Sequence, residues 1–372
     1  MNFGKKLYQL WRLNSIEWST LLSSVAHLLI DYYGGAGRSH ALINITLEVT
    51  YRCQWQCNFC FLKDNVLNRP VDELTLDEIK RLVDAAAPRK LSFFLTGGEP
   101  FVRPDCMDII RYIKEQGLKV GVNTNHALLD EKKIDQLREM GLDYIISSVH
   151  GPREVHNALT GAKNFDKVIA NLKYWKARPC RTRTLINFVM TPETMQYMED
   201  VVDIAAEVDL DILTFQHESF LTPEEKEAHN RAWRKLFNKA NEVEFSHLEL
   251  DPKRHDTDRM REYMARTRQR AKEKGVLVFF KPDLTPEQMG TWYSERFHYE
   301  GKCSYLYTDM RISPKGDVIT CQPIPCAVGN IRGGDPFELF NSEAFVAFRR
   351  GIQDAGGLYP ACARCCKLHR KF

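Results

Sequence analysis

Long apolar runs are scarce in this chain. Within residues 7 to 30, its most apolar part, the longest uncharged run is Trp18 to Ile30, thirteen residues, too short to span a bilayer. Asp31-Tyr32-Tyr33 follows in place of a small-residue cleavage site, so no secretory leader is expected. Neither sign of charge is in excess: 52 Lys and Arg against 49 Asp and Glu give +3, which makes no electrostatic case for nucleic acid or an acidic partner. What remains is a globular composition, 44% hydrophobic and 27% charged over 372 residues, enough for one large core and a smaller domain. Eleven cysteines without a leader point to a reducing cytoplasm and to metal ligation in preference to disulfides.

Three of those cysteines carry the strongest signal. Cys53, Cys57 and Cys60, spaced Cys-x3-Cys-x2-Cys, follow directly on an apolar run. Three thiolates can hold three irons of a [4Fe–4S] cluster and leave the fourth open to a ligand. Closely spaced cysteines also suit Zn²⁺, but zinc sites usually add a second pair nearby, and the next cysteine is Cys106. A second motif lies downstream. Leu91 to Thr96 reads as a buried strand, and Gly97-Gly98-Glu99-Pro100 follows it at once. Two glycines permit a close backbone approach to a ligand, and Glu99 offers an acceptor to an ammonium group. Alone, this would be an ordinary turn; beside the cysteine motif it is not.

Together the motifs resemble the signature of the radical S-adenosylmethionine (radical SAM) superfamily. The resemblance implies that Cys53, Cys57 and Cys60 hold a [4Fe–4S] cluster whose open iron chelates SAM. It places Phe59 beside the adenine and Gly97, Gly98, Glu99 and Pro100 at the methionine amino group. It also makes Asn125 and Ser148 candidate SAM contacts, the latter in Ser148-Val149-His150-Gly151, although either could merely cap a strand.

From residue 43 to about 217, strand and helix patterns alternate in six βα units. Expected strands are Ile43–Val49, Leu91–Leu95, Leu118–Val122, Tyr144–Val149, Leu185–Val189 and Ile212–Phe215. Helices lie between them, one opened by the capping box Thr75–Glu78 and others stopped at Gly117 and Gly141. Such alternation implies an α/β fold with a parallel sheet and helices outside; the resemblance narrows it to a partial, TIM-like (β/α)6 barrel. Sites in such sheets gather at the C-terminal strand ends, where both motifs fall. His217 and Glu218, ending the sixth strand, are candidates for substrate contact or a surface pair, and Asn187 is a weaker candidate.

The chain accordingly divides into an N-terminal helical extension (1–41), the core (42–218), a charged helical bridge (219–301) and a small cysteine-rich domain (302–372). The extension reads as one or two amphipathic helices packed on the barrel. Peripheral membrane contact through Lys5, Lys6 and Arg12 is the minor alternative. In the bridge, charges of both signs are interspersed, unlike a DNA-binding stripe, and Val276–Phe280 reads as a strand.

Cys303, Cys321, Cys326, Cys362, Cys365 and Cys366 occupy the last segment, where Ile312–Thr320 looks like a hairpin turning at Lys315-Gly316. Cys…Gly-x4-Cys followed by Cys-x2-Cys resembles the SPASM/twitch extension of radical SAM enzymes, which holds auxiliary [4Fe–4S] clusters. Six cysteines suit one such cluster better than two, with Cys303, Cys321, Cys362 and Cys365 as ligands and Cys326 or Cys366 as substitutes. Structural zinc is the alternative. Cys106 and Cys180 read as unpaired thiols.

The resemblance implies an enzyme that reductively cleaves SAM to a 5′-deoxyadenosyl radical, which abstracts hydrogen from a peptide, small-molecule or lipid-linked substrate. It implies an external electron donor of flavodoxin- or ferredoxin-like kind. No cobalamin-binding domain is apparent. The rival reading is a non-catalytic iron–sulfur scaffold or electron carrier, which would have no use for an ammonium-binding turn.

Overall fold

The computed structural model describes residues 18–34, 36–60, 62–63, 66–237, 248–297, 299 and 302–368. Lys5, Lys6 and Arg12 lie outside them. In chain order, the first half gives α1 (Trp18–Tyr33), β1 (Asn44–Thr50), α2 (Leu76–Ala86), β2 (Ser92–Gly97), α3 (Cys106–Glu115), β3 (Val120–Thr124), α4 (Glu131–Met140), β4 (Tyr144–Ser148), α5 (Arg153–Thr160), α6 (Phe165–Lys176), β5 (Arg183–Met190), α7 (Met198–Glu207) and β6 (Ile212–His217). After these come the short strand β7 (Phe220–Leu221), α8 (Pro223–Phe237), its partner strand β8 (Leu248–Glu249), α9 (Thr257–Lys274), β9 (Val278–Lys281) and α10 (Pro286–Trp292). The last segment holds α11 (Tyr305–Thr308), β10 (Asp309–Ile312), β11 (Asp317–Ile319), β12 (Ala327–Asn330), α12 (Pro336–Phe340) and α13 (Glu343–Asp354).

The expected βα alternation is present, with strand ends shifted by at most two residues. Local chemistry sets the helix ends. The Thr75–Glu78 capping box opens α2, and Gly141 closes α4 at φ 76°, a conformation glycine adopts without steric cost. β1 to β6 pair in parallel, as an open partial barrel. Their near-continuous burial, with Ile45, Leu47, Phe93, Leu95, Val120, Val122 and Ile145 almost fully inaccessible, is what a sheet covered on both faces requires.

The sheet extends beyond six strands. It has ten, in the order β12-β11-β10-β1-β2-β3-β4-β5-β6-β9. β9, from the bridge, pairs in parallel with β6. On the opposite edge β10 pairs in parallel with β1, Asn44 opposite Asp309 and Leu47 opposite Ile312. The expected hairpin is β10–β11. The β1–β10 seam holds a buried ion pair, Arg311 Nε donating to Glu48 Oε1 at 3.0 Å, while Tyr51 Oη donates to Glu48 Oε2 at 2.8 Å.

The extension packs differently from the reading of its sequence. α1 lies on the cysteine-rich segment: Tyr32 meets the Tyr307 ring at 5.3 Å, and Gln353 Nε2 donates to Tyr32 O at 2.7 Å. Ser39 is then clamped by Asn341 through two hydrogen bonds.

Candidate active site

The parallel strands β1 to β6, β9 and β10 end on one side, and both motifs sit there. The Cys53–Cys60 loop leaves β1 and is held by groups far away in sequence. Asn68, in a left-handed conformation (φ 57°), accepts from Cys53 N at 2.8 Å and donates to Cys53 O at 3.0 Å. Trp55 N lies 3.4 Å from the Cys53 sulfur. The last turn of α5 supports the other side: Asn58 N donates to Leu159 O at 3.1 Å, and Cys57 Sγ lies 4.0 Å from Thr160 O.

The three thiols are partly buried and feel one another. Burial above all pushes Cys53 up to about 11, with Glu99 and Cys60 adding to the shift. Burial pushes Cys57 up to about 12, with Cys60 and Cys53 contributing. Such thiols are reluctant to ionise in isolation, and metal ligation reverses that preference. Two N–H donors, from Trp55 and from Asn125 Nδ2 at 3.9 Å, already face the Cys53 sulfur. Three thiols on one loop within electrostatic reach of one another, one of them met by such donors, suit three corners of an iron–sulfur cluster. Among the described residues no group of three Cys, His, Asp or Glu side chains is placed to hold a metal ion.

The glycine turn is joined edge to edge with the cysteine loop. Gly98 N donates to Thr50 O at 2.8 Å and Glu99 N to Arg52 O at 2.9 Å. A Cβ on Gly97 would strike the Thr50 carbonyl, and one on Gly98 the Arg52 carbonyl. The close approach that these glycines permit here is therefore to the β1 exit, in addition to any ligand. Pro100, buried, opens the short helical turn that follows.

Glu99 is 1% exposed and accepts three hydrogen bonds, from Phe101 N (3.1 Å), Thr124 Oγ1 (2.8 Å) and Asn125 N (2.7 Å). Burial pushes its carboxyl up to about 7 against these donors. Its oxygens fix the β3 end, and of roughly four lone-pair directions on a carboxylate one is left for a ligand. Asn125 is similarly engaged. Its Oδ1 accepts from Gln54 Nε2 and Ala127 N, both at 3.0 Å, which orients Nδ2 toward Cys53.

Phe59 packs edge-to-face on His150 at 4.4 Å between centroids. His150 accepts from Val189 N through Nδ1 at 3.3 Å, which puts its proton on Nε2, a buried nitrogen without a protein partner. Ser148 ends β4, half-buried, in register with Asn187 on β5. At the β6 end, His217 and Glu218 are buried, not a surface pair: His217 Nδ1 meets Tyr293 Oη at 2.7 Å, and Glu218 meets His255 Nε2 at 3.0 Å.

The cysteines of the second group also lie within electrostatic reach of one another. Burial first, then Cys303, pushes Cys321 up to about 12. Cys362 is raised well above its ordinary value by burial, Cys303 and Cys321. Cys365 and Cys366 share a hydrogen bond, so charge on Cys366, favoured by Lys367 and Lys281, raises Cys365. Cys303 thus lies within electrostatic reach of Cys321, Cys362 and Cys365, the expected set, with Cys326 beside Cys321. Cys106 is buried and Cys180 exposed, both unpaired. Asn68 and Arg311 were not among the residues singled out by sequence. An asparagine at positive φ and a mid-strand arginine give no local sign of what they hold.

An open parallel barrel with a three-thiol loop at its strand ends, extended by a second thiol group, defines an iron–sulfur enzyme architecture, and comparison with known proteins agrees. Residues 47–205 match the radical SAM superfamily and residues 303–366 an iron–sulfur cluster-binding domain, SPASM. The chain is 24% identical over 333 residues to a PqqA peptide cyclase of Bradyrhizobium diazoefficiens, covering 86% of this chain and 78% of that protein. It is 26% identical over 335 residues to an AdoMet-dependent heme synthase of Methanosarcina barkeri, covering 86% and 87%. The fold is similar to that of Streptococcus suis SuiB in a structure bound to S-adenosylmethionine, with a TM-score of 0.62, 18% identity, and 83% and 68% of the two chains covered. The chain belongs to the radical SAM superfamily, in the subgroup with a SPASM-type extension. It is an enzyme whose cofactors are a [4Fe–4S] cluster and SAM, with auxiliary iron–sulfur ligation at the C-terminal end.

Proposed function

We propose that Cys53, Cys57 and Cys60 hold the SAM-binding cluster, that Gly97–Pro100, Phe59 and Ser148 line the SAM site, and that Cys303, Cys321, Cys362 and Cys365 hold one auxiliary cluster. When bound, the cluster and SAM supply reductive C–S cleavage and hydrogen abstraction from carbon. The chain's own part is to orient and to dry the site. Asn68 and the α5 carbonyls fix the cysteine loop, and Glu99 fixes the β3 end around Asn125. Phe59 against His150 forms an apolar wall, with the His150 Nε2–H as a donor toward a bound acceptor. Asn125, placed by sequence at SAM, is in this reading a support for Cys53. His217 and Glu218, held by Tyr293 and His255, bound the substrate side near β6. An external reductant supplies the electron.

The substrate is an organic molecule with an unactivated C–H bond. The names of relatives include both a peptide cyclase and a heme synthase, so peptide and small-molecule substrates both have support. The observation that carries the proposal is the pair of hydrogen bonds joining Gly98 and Glu99 to the β1 exit, which brings glycine turn and cysteine loop to one place. Anaerobically reconstituted protein with dithionite and SAM is expected to form 5′-deoxyadenosine, and Cys57→Ala to abolish it. Undiminished product in Cys57→Ala would overturn the ligand assignment.

A further inference from the structure

α1 carries apolar residues on both of its sides. Ser24, Leu28, Asp31 and Tyr32 face inward, Asp31 accepting from His40 N at 2.6 Å. Outward stand Leu22 (68% exposed), Leu29 (44%), Ile30 (68%) and Tyr33 (61%). At about 100° per residue these four and the exposed Ala26 fall on one stripe of the helix. Among the described residues, four of the five exposed large hydrophobic side chains belong to this stripe, Leu128 being the other. Scattered apolar residues need no explanation, whereas a contiguous stripe marks an interaction surface.

We propose that this stripe docks on an anionic membrane surface, with α1 lying in the plane of the headgroups. Charge is the first reason. The stripe carries no acid, its one carboxylate being turned inward, and cations surround its C-terminal end: Lys302 lies 3.1 Å from Tyr33 Oη, Arg350 donates to Ala36 O at 3.0 Å, and Arg38 is exposed. Size is the second reason. Among the described residues the stripe exposes on the order of 450 Å², about half of what each partner gives a standard protein interface, which disfavours a second copy of this chain. α1, at 16 residues, is an in-plane element; no helix among the described residues is long and apolar enough to cross a membrane.

The test is flotation of the reconstituted full chain with vesicles of phosphatidylcholine alone and with added phosphatidylglycerol. It needs no SAM turnover, so it fails or succeeds independently of the proposed activity. Wild type is expected to float with the anionic vesicles, and less so as salt rises. Leu22→Glu combined with Ile30→Glu should weaken partitioning by roughly 10-fold or more, with an unchanged melting temperature because both positions are exposed. Three results would overturn the proposal: no flotation of wild type; equal flotation of the double variant; or a wild-type dimer in sedimentation that the double variant dissolves while neither binds vesicles.

Discussion

Gly98→Ala separates a steric role from a merely conformational one. The added Cβ would strike the Arg52 carbonyl and come within 2.8 Å of the Arg52 carbonyl carbon and 3.1 Å of that of Tyr51. These are backbone atoms, and they cannot retreat freely. Tyr51 is tied to Glu48, Arg52 to Glu73 at 3.0 Å, and Cys53 to Asn68. The turn must therefore lift away. Overpacking costs about 1–3 kcal/mol, and the two hydrogen bonds from Gly98 and Glu99 are worth about 1 kcal/mol each, for a total of about 3–5 kcal/mol. Gly117→Ala is the control. It stands at φ +71° with nothing within 4 Å of its Cβ, so it costs only left-handed strain of about 1–2 kcal/mol, partly offset by a stiffer unfolded chain.

Urea unfolding monitored by circular dichroism, with iron analysis of the same samples, reads both consequences. Gly98→Ala should be the less stable of the two by about 1–4 kcal/mol and should lose roughly half of its reconstituted iron, because the loop carrying Cys53 shifts with its neighbour. Gly117→Ala should keep its iron. Equal stability and equal iron in the two variants would refute the steric argument and with it the claim that the glycine turn braces the cysteine loop.

Two further outcomes follow from buried charge. Arg311→Met leaves Glu48 buried without its cation and should cost about 3–5 kcal/mol, most of it recovered when Glu48→Gln is added; a urea midpoint unmoved by the single change would show that the β1–β10 seam does not depend on the pair. Mild acid should destabilise the fold, because burial holds His126, His150 and His217 down at about 3 and His156 and His229 at about 4. Their contribution is complete above the ordinary value of 6.5 and is lost as pH falls, since the unfolded chain takes up protons that the folded one refuses. Glu99, raised to about 7, works in the opposite direction and offsets about one histidine. The net slope between pH 6 and 5 is on the order of 5 kcal/mol per unit, and equilibrium unfolding that is flat across this range would contradict it.

The cysteine loop, the glycine turn and the alternation of strands and helices were legible because their chemistry is local: a ligand spacing, a turn after a strand, a capping box. The glycines were recognised, but their immediate neighbour is the Thr50–Arg52 backbone, a contact that spacing does not reveal. Glu99 was read as an open acceptor, yet its partners Thr124 and Asn125 lie one βα unit further on. Neither new sheet neighbour was legible. β10 finds β1 across 265 residues, and a strand of four residues carries no label for its partner. The outward apolar stripe of α1 was hidden for a different reason. Periodicity shows that a helix has an apolar stripe, and not that Asp31 and Ser24 will be the side turned inward.

The seam between β1 and β10 bears on how the two thiol groups relate. β1 exits into the cysteine loop at its C-terminal end, and its free edge takes β10, whose hairpin partner β11 leads directly to Cys321. Arg103 adds a brace, donating to Val49 O at 3.2 Å and to Leu74 O at 2.6 Å, and Leu74 N donates to Pro314 O in the hairpin turn at 2.7 Å. Ser39 and Asn341 close the same frame from the other side. Domains joined only by a linker are expected to move against each other unless their interface is large and apolar. Here the two thiol groups hang on one hydrogen-bonded sheet with a buried ion pair across the joint, so their separation is set by strand register. A one-residue slip at β1–β10 would turn Arg311 away from Glu48 and reverse the faces of Met310 and Ile312, both fully buried. The register is thus held by the core itself, and the distance between the two proposed cluster sites is fixed by the same packing that makes the barrel.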